Sequence, residues 1–565
     1  MTAGRGGLLR LAPRATLLLL SAPVLAGLAG TIAPAFREGD PFGHGAFAAL
    51  ADWPGLERAI WLSLGTGLVA TAISLAITLL VVATLADTAL FVALRRLLSP
   101  LLAIPHAAAA LGLAFVISPS GWVARAFSPW ATGWTSPPDL LILNDPWGAT
   151  LTLGLITKEV PFLLLMTLAS LPQTDAQRRM AVAASLGYGR VSGFVFAVLP
   201  SLYQQLRLPV YAVLAYAMTS VEMAMILGPT LPPTLSVQIT HWMTDPGMSH
   251  RGTAAAAALV QLVVVVAALL IWHLAERGGR FAVLRAAGSG QRLVSLDPML
   301  RALAASGGLA VAGMLIAGLI GLAVWSFAGI WQFPAVMPES LSMESWMKSG
   351  PDLRSTVGVT ATIALLATAA ALGLVLACLE AEQRFGISAD QRALWLLYLP
   401  LIVPQIAFVP GLQVLALGVG ADSNLLSVAA AHLVFVLPYV FLSLGPAYRA
   451  WDGQLALAAA ALGAAPAGVF WRLRLPMLAA PVLTAVAVGL SVSVGQYLPS
   501  LLIGGGRVET LTTEAVAVAS GGNRRVIGAY GLMQMLLPFL GFAVALAVPR
   551  WLFRNRAGMR VAGAR

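Results

Sequence analysis

One twenty-residue pattern occurs twice in this chain, and the two copies begin 276 positions apart. The first copy, residues 181–200, has an alanine-rich run ending at Gly187, nine further residues, and then Ala197-Val198-Leu199-Pro200. The second copy, residues 457–476, has a similar run ending at Gly463, nine further residues, and then Leu473-Arg474-Leu475-Pro476. Each copy lies between apolar segments, at an equivalent position. The chain is therefore predicted to contain two related halves in tandem.

The composition is that of a membrane protein. Hydrophobic residues make up 59% of the sequence and charged residues 10%, and the mean hydropathy is +0.86, which is typical of a polytopic protein rather than a large soluble one. A helix needs about 20 apolar residues to cross a bilayer. We expect an all-α fold with about twelve transmembrane helices in two sets of six: 15–36, 59–85, 98–117, 149–171, 206–227 and 253–275, then 303–330, 356–379, 393–419, 425–447, 478–502 and 526–550.

Arginine placement predicts the orientation of these helices, because basic loops stay in the cytoplasm. Twelve spans put both termini on one side, and that side carries 24 arginines against eight on the other. Both termini and both copies of the pattern are then cytoplasmic. The predicted halves are residues 1–275 and 303–565, joined by an arginine- and glycine-rich cytoplasmic linker, 276–302, and residues 118–146 form an outside loop.

The repeated pattern resembles the EAA loop of ABC-importer permeases, written E-A-A-x3-G-x9-I-x-L-P, the cytoplasmic segment that docks onto the ATP-hydrolysing subunit. The resemblance covers nearly the whole chain and is to fused two-half permeases of the kind found in ferric-iron, thiamine and related small-solute importers. It implies the type I importer fold, with six helices in each half. The family glutamate is absent, because Ala181 and Leu457 occupy its position.

We call the two copies EAA-like loop 1 (181–200) and EAA-like loop 2 (457–476). The resemblance predicts which of their residues dock the ATPase. They are Ala181, Ala183, Ala184, Gly187, Leu199 and Pro200 in loop 1, and Leu457, Ala458, Ala459, Gly463, Leu475 and Pro476 in loop 2. Each glycine is expected to turn its loop into a compact element.

The resemblance also implies partners. The chain has no G-x-x-x-x-G-K-[ST] loop and no soluble segment long enough for a nucleotide-binding domain. ATP and Mg²⁺ would therefore bind two copies of a separate ATPase subunit, with no cofactor on this chain, and a periplasmic binding protein would deliver a small solute. The protein would be a bacterial inner-membrane permease, not an enzyme and without catalytic residues. The positive charge is explained by topology and contact with anionic lipid, so no nucleic-acid partner is expected.

Ionisable residues within predicted spans are candidates for the transport pathway. Glu222 follows EAA-like loop 1, and Gln496 is its counterpart by spacing after loop 2. They could line the path or form interhelical hydrogen bonds. Lys158 lies deep in a span next to Glu159, and it could pair with Glu222 or line an aqueous cavity. His106 and Gln405 are expected to be packing or helix-bonding residues rather than ligands. The prolines at 105, 161, 404 and 438 suggest kinked helices or tolerated bends.

Other readings of the sequence remain open at this stage. A secondary transporter would also show repeats and broken helices, but it commonly has inverted repeats and intramembrane acid clusters. An intramembrane lipid-modifying enzyme would need convergent His, Asp or Glu residues. The N-terminal apolar run could be a cleaved signal, although we expect an uncleaved first helix. Six scattered histidines and one cysteine, Cys378, predict neither a metal site nor a disulfide.

Overall fold

The computed structural model describes residues 3–36, 44–101, 103–245, 250–290, 292, 294–387, 391–421 and 423–554. The α-helices found there before the linker are α1 (Ala3–Ile32), α2 (His44–Ala51), α3 (Leu56–Leu85), α4 (Ala89–Leu101), α5 (His106–Ile117), α6 (Trp122–Phe127), α7 (Ala149–Ser170), α8 (Ala176–Ser185), α9 (Arg190–Gly193), α10 (Leu199–Thr219), α11 (Glu222–Leu227), α12 (Leu235–Thr244) and α13 (Arg251–Gly288).

After the linker follow α14 (Asp297–Phe327), α15 (Glu344–Phe385), α16 (Gln391–Ile402), α17 (Gln405–Gly418), α18 (Leu425–Arg449), α19 (Gln454–Ala461), α20 (Pro466–Val469), α21 (Leu475–Met477), α22 (Ala479–Val494), α23 (Leu498–Gly504), α24 (Leu511–Ala519) and α25 (Arg524–Leu552). Extended pairing in these ranges is limited to an isolated bridge between Ala328 and Leu341. The predicted all-α class is confirmed.

Among the described helices, nine are long and apolar enough to cross a membrane, and eleven if each of two sharply bent pairs counts as one span. The predicted number of about twelve is thus not confirmed. The difference lies at the predicted fifth span, 206–227, which corresponds to two separate helices. α10 ends at Thr219, Ser220 is extended, and the short α11 begins at Glu222.

Of the four prolines predicted to mark kinked helices or tolerated bends, two lie at breaks between helices. Pro105 and Pro404 lie immediately before α5 and α17, in an extended conformation. The axis turns by 91° between residues 395–402 and α17. Proline lacks an N–H and disfavours a helical residue before it, so a helix tends to restart after it. Pro161 and Pro438 remain inside α7 and α18, where the helix continues.

The repeat extends to single hydrogen bonds. The first N–H of α12, at Leu235, donates to Ser63 Oγ in α3 over 3.2 Å, and the first N–H of α24, at Leu511, donates to Thr360 Oγ1 in α15 over 2.8 Å. Each bond fastens the start of a short helix to the long helix of the same half. The two halves therefore share their fold at the level of individual contacts.

The halves are joined because each first helix packs on the other half. In α1, Gly27 meets Gly411 of α17, and in α14, Gly318 meets Gly112 of α5. A Cβ on Gly318 would lie 2.9 Å from the carbonyl carbon of Gly112. Membrane helices approach this closely only where side chains are small. Since α5 and α17 are equivalent, the exchange is reciprocal.

The predicted linker is helical over much of its length. α13 continues through Gly288, and a single 3-10 turn, Val294–Leu296, precedes α14 at Asp297. The predicted linker, 276–302, thus overlaps the ends of two long helices. The predicted outside loop, 118–146, is mostly irregular and contains only the short helix α6 within its described residues.

The glycine contacts between the halves should be intolerant of side chains. We expect Gly318→Val to lower the thermal unfolding temperature and the folded yield, because overpacking against backbone costs about 1–3 kcal/mol. The control is Gly313→Val, in the same helix, where a Cβ would have no atom within 4 Å. Stability is measured by thermal unfolding in detergent. Equal unfolding temperatures of the two variants would contradict the close packing of Gly318 on Gly112.

Candidate functional site

Both EAA-like loops have the same backbone. In loop 1 the N–H groups of Gly187 and Tyr188 donate to the carbonyls of Ala184 and Ala183, over 2.9 and 3.1 Å. In loop 2 those of Gly463 and Ala464 donate to Ala460 and Ala459, both over 2.9 Å. This pair of bonds is the Schellman motif, which satisfies the last carbonyls of a helix and requires a left-handed residue after its end.

The motif glycines have the backbone angles that this turn demands. The φ angles are +79° at Gly187 and +82° at Gly463, a region that side chains with a Cβ rarely adopt. After the turn, both loops form a short helix followed by a π-helical turn, Phe194–Val198 in loop 1 and Phe470–Arg474 in loop 2. The predicted turning role of both glycines agrees with this geometry.

The two loops lie at the same end of the helix bundle, which we call the loop face. Asp297, at the start of α14, accepts a hydrogen bond from the Val191 N–H of loop 1 over 3.2 Å. α14 then crosses the bundle and α15 returns, and near its end Arg384 donates to the Pro466 carbonyl of loop 2 over 3.2 Å. A single partner dimer could therefore reach both loops.

The structure places most of the predicted docking residues at the surface. Ala183 is buried, and a Cβ on Gly193 would lie only 3.1 Å from the Ala183 Cβ. The exposed set is Ala181, Ala184, Gly187, Pro200, Leu457, Ala458 and Gly463, and the half-buried set is Leu199, Ala459, Leu475 and Pro476. Neither Ala181 nor Leu457 offers a carboxylate where the family has glutamate.

Two leucines outside the predicted set are each the most exposed large apolar side chain of their own loop. Leu186 and Leu462 directly precede the motif glycines and are 58% and 90% exposed. The left-handed turn after each leucine ends its helix and leaves the side chain at the tip of the loop. The sequence signal was available, because a leucine precedes the glycine in both copies.

The loops differ in what covers them. The linker packs on loop 1: the Arg292 carbonyl accepts from the Gly189 N–H over 3.1 Å and from the Ser192 hydroxyl over 2.6 Å. Asp297 caps the start of α9 through the Arg190 and Val191 N–H groups. A cleft of about 420 Å³ remains open on loop 1, lined by Arg178, Val182, Leu186, Tyr188 and Phe196 among others.

The bundle interior contains a polar cluster at the predicted pathway residues. Tyr216 donates a hydrogen bond to Glu222 over 2.7 Å, and its ring centroid lies 4.5 Å from that of His106. His106 Nε2 is 3.9 Å from Glu159 Oε1. Lys158 and Glu159 are both buried. The Lys158–Glu222 pair stays a prediction, since Tyr216 is the side chain that the structure shows bonded to Glu222.

Gln496 is not at the position equivalent to Glu222. α11 begins at Glu222 and α23 begins at Leu498, so Gln496 matches Ser220 in the break before the short helix. Counted from the Leu-Pro pair, Glu222 lies 22 residues after Pro200 and Gln496 lies 20 residues after Pro476, so equal spacing also pairs Glu222 with Leu498. The two segments nevertheless approach each other, because the Tyr497 hydroxyl donates to Met225 Sδ over 3.4 Å.

The described residues contain no group of three or more His, Cys, Asp or Glu side chains that could hold a metal ion. Cys378 is buried, and its thiol donates to Thr16 Oγ1 over 3.1 Å, so it joins α15 to α1. It packs between the halves.

Two helical halves in tandem, with paired Schellman loops at one face, define a duplicated multi-pass membrane protein. The chain is 32% identical over 513 residues to the inner membrane ABC transporter permease protein YnjC of Escherichia coli, covering 91% of this chain and 92% of YnjC. It therefore belongs to the ABC transporter permeases. No protein-family model and no solved structure matches it.

Two further relatives match a smaller part of the chain. The putrescine transport system permease protein PotI of Escherichia coli is 28% identical over 168 residues, which cover 28% of this chain and 59% of PotI. The molybdenum transport system permease protein ModB of Mycobacterium tuberculosis is 30% identical over 150 residues, covering 24% of this chain and 55% of ModB. The resemblance to ABC permeases is confirmed.

Proposed function

We propose that this chain supplies the whole membrane pathway of an ATP-driven importer, and that each EAA-like loop docks one ATPase subunit. The observation that carries the proposal is the presence of two loops with one backbone, on one face, each presenting an exposed leucine before a left-handed glycine. An exposed apolar side chain at the tip of a rigid turn fits a protein partner. ATP and Mg²⁺ bind on the ATPase subunits in this proposal.

The other components of the proposed importer follow from the docking of an ATPase subunit on each loop. The loop face and both termini are cytoplasmic, the spans contact the lipid of a bacterial inner membrane, and a periplasmic binding protein delivers a small solute to the opposite face. ATP-driven closure of the ATPase pair moves the two loops together, and the halves alternate between inward-open and outward-open states. PotI and ModB are named for different solutes, so family membership does not select the solute here.

Docking without the family glutamate should depend on apolar contact. Burial of a leucine contributes about 1.5–3 kcal/mol, so Leu462→Asp and Leu186→Asp should each reduce co-purification of the ATPase subunit by roughly tenfold or more. Because both side chains are exposed, the variants should fold normally.

Leu231→Asp is the matched control for the docking experiment. Leu231 is also 90% exposed but follows α11, at the opposite face. Undiminished co-purification for both loop variants, in protein that elutes like wild type, would reject the docking assignment. A loss that Leu231→Asp shares would also reject it, because the effect would not be local to the loops.

The proposed orientation is tested by labelling single cysteines in a Cys378→Ala background. A cysteine at Trp130, which is 75% exposed, should react with a membrane-impermeant maleimide in intact spheroplasts. A cysteine at Gly290, in the linker, should react only after permeabilisation. The reverse pattern would place the loops outside, where no ATP is available.

We also propose that the solute path passes the polar cluster at Glu222, between the segments that carry Glu222 and Gln496, with Lys158 near it. In the Cys378→Ala background, a cysteine at Glu222 should be modified by a small hydrophilic methanethiosulfonate in at least one nucleotide state of the ATPase complex. One at Ala257, which is fully buried in α13, should stay protected. Protection of residue 222 in every state would instead give Glu222 a purely structural role beside Tyr216.

A further inference from the structure

An arginine fastens each EAA-like loop to the end of a long helix, but the two halves use opposite partners. In the first half the arginine is on the loop. Arg190 Nε donates to the Ala83 carbonyl of α3 over 3.0 Å, and its Nη2 reaches the Ala86 carbonyl and lies 3.4 Å from Asp87 Oδ2. Loop 1 is thus tied to the last turn of α3 and the residues just after it.

In the second half the arginine is on the helix. Arg384, in the last turn of α15, donates from Nη2 to the Pro466 carbonyl of loop 2 over 3.2 Å. Its Nε forms an ion pair with Glu380 over 2.5 Å. Loop 2 is therefore tied to α15 by a hydrogen bond whose donor lies on the helix and whose acceptor lies on the loop, the reverse of the first half.

These positions correspond in the repeat. Counting from Thr71 and Thr368, which are equivalent residues of α3 and α15, Asp87 corresponds to Arg384. Counting from Gly187 and Gly463, Arg190 corresponds to Pro466. In each half one of the two positions is an arginine: the loop position in the first half and the helix position in the second. The halves therefore share the connection between loop and helix without sharing the residue that makes it.

Loop 2 has a second tie at the same helix. Arg474, in the π-helical turn, forms an ion pair with Glu380, and both side chains are about 6% exposed. The Tyr448 hydroxyl also donates to Glu380, and the Trp451 ring centroid lies 4.4 Å from the Arg474 guanidinium. A buried ion pair with extra hydrogen bonds holds one geometry, because breaking it strands a charge.

We infer that Arg190 and Arg384 are positioning residues for energy coupling: they transmit movement of each docked loop to α3 and α15. This inference rests on the proposed docking function. α3 and α15 carry Ser63 and Thr360, which hold the starts of α12 and α24 near the opposite face. A loop tied to such a helix moves it as one body. A loop without the tie can move with the ATPase while the helix stays in place.

The experiment exploits the opposite arrangement of the two halves. Arg190→Ala removes the tie of the first half, and adding Asp87→Arg places an arginine at the residue that corresponds to Arg384 by sequence count, two residues after the end of α3. The permease is studied with its ATPase in nanodiscs, in a Cys378→Ala background, with spin labels on cysteines at Leu231 and Arg507, which follow α11 and α23 at the opposite face. The distance between the labels is measured with and without ATP and vanadate.

We expect nucleotide to change this distance in the parent complex and not in Arg190→Ala, with the ATPase still bound and still hydrolysing ATP. In Arg190→Ala the fraction of complexes that reach the nucleotide-induced distance should fall about tenfold, the scale of a hydrogen bond to a charged group. Adding Asp87→Arg to Arg190→Ala should restore most of the nucleotide-dependent change in the distance between the labels. Arg280→Ala, an exposed arginine near the end of α13, controls for loss of charge at the loop face and should move normally.

A purely structural role would lower folded yield or ATPase binding and leave the movement of the surviving complexes intact, which would overturn the inference. So would failure of Asp87→Arg to restore movement in a complex that assembles normally. An ATPase that does not bind the parent permease, or a parent complex that nucleotide does not change, would contradict the proposed function itself.

Discussion

The structure depends on glycine-to-glycine contact between the two halves. α1 crosses to α17 through Gly27 and Gly411, and α14 crosses to α5 through Gly318 and Gly112. In a membrane the hydrophobic effect does not drive helices together, so close backbone packing has to hold them. Because the first helix of each half packs on the other half, neither half can bury all of its packing surfaces alone. This exchange fixes the pseudo-twofold relation on which the pairing of the loops rests.

That relation gives two loops of one shape in two surroundings. The Schellman turns at Gly187 and Gly463 are the same, since both need a left-handed residue to satisfy helix-end carbonyls. Loop 1 is braced by the Arg292 carbonyl of the linker and by Asp297 at the start of α14, whereas loop 2 is anchored by the buried Arg474–Glu380 pair. A fused chain can therefore keep two docking elements alike at their tips while their bases differ.

Local features of this fold were predictable from sequence and long-range ones were not. Span-length apolar segments gave the helical class, and the repeated glycines gave both turns, because these depend on neighbouring residues. The contact of Gly27 with Gly411 leaves no local signal, since glycine is frequent in membrane helices. Pro105 and Pro404 were predicted to mark kinks or tolerated bends, and each lies at a break between two helices. The Arg190 and Arg384 ties leave no repeated sequence signal, because aligning the halves pairs each arginine with a different residue.

The central claim is that one chain provides two docking loops for two ATPase subunits. Native mass spectrometry of the complex released from membranes measures this directly, because it counts subunits per permease chain. The account predicts one permease chain with two ATPase copies in the parent protein, and a decrease in that species when either Leu186 or Leu462 becomes aspartate. A complex with a single ATPase copy, or a permease that carries none, would contradict it.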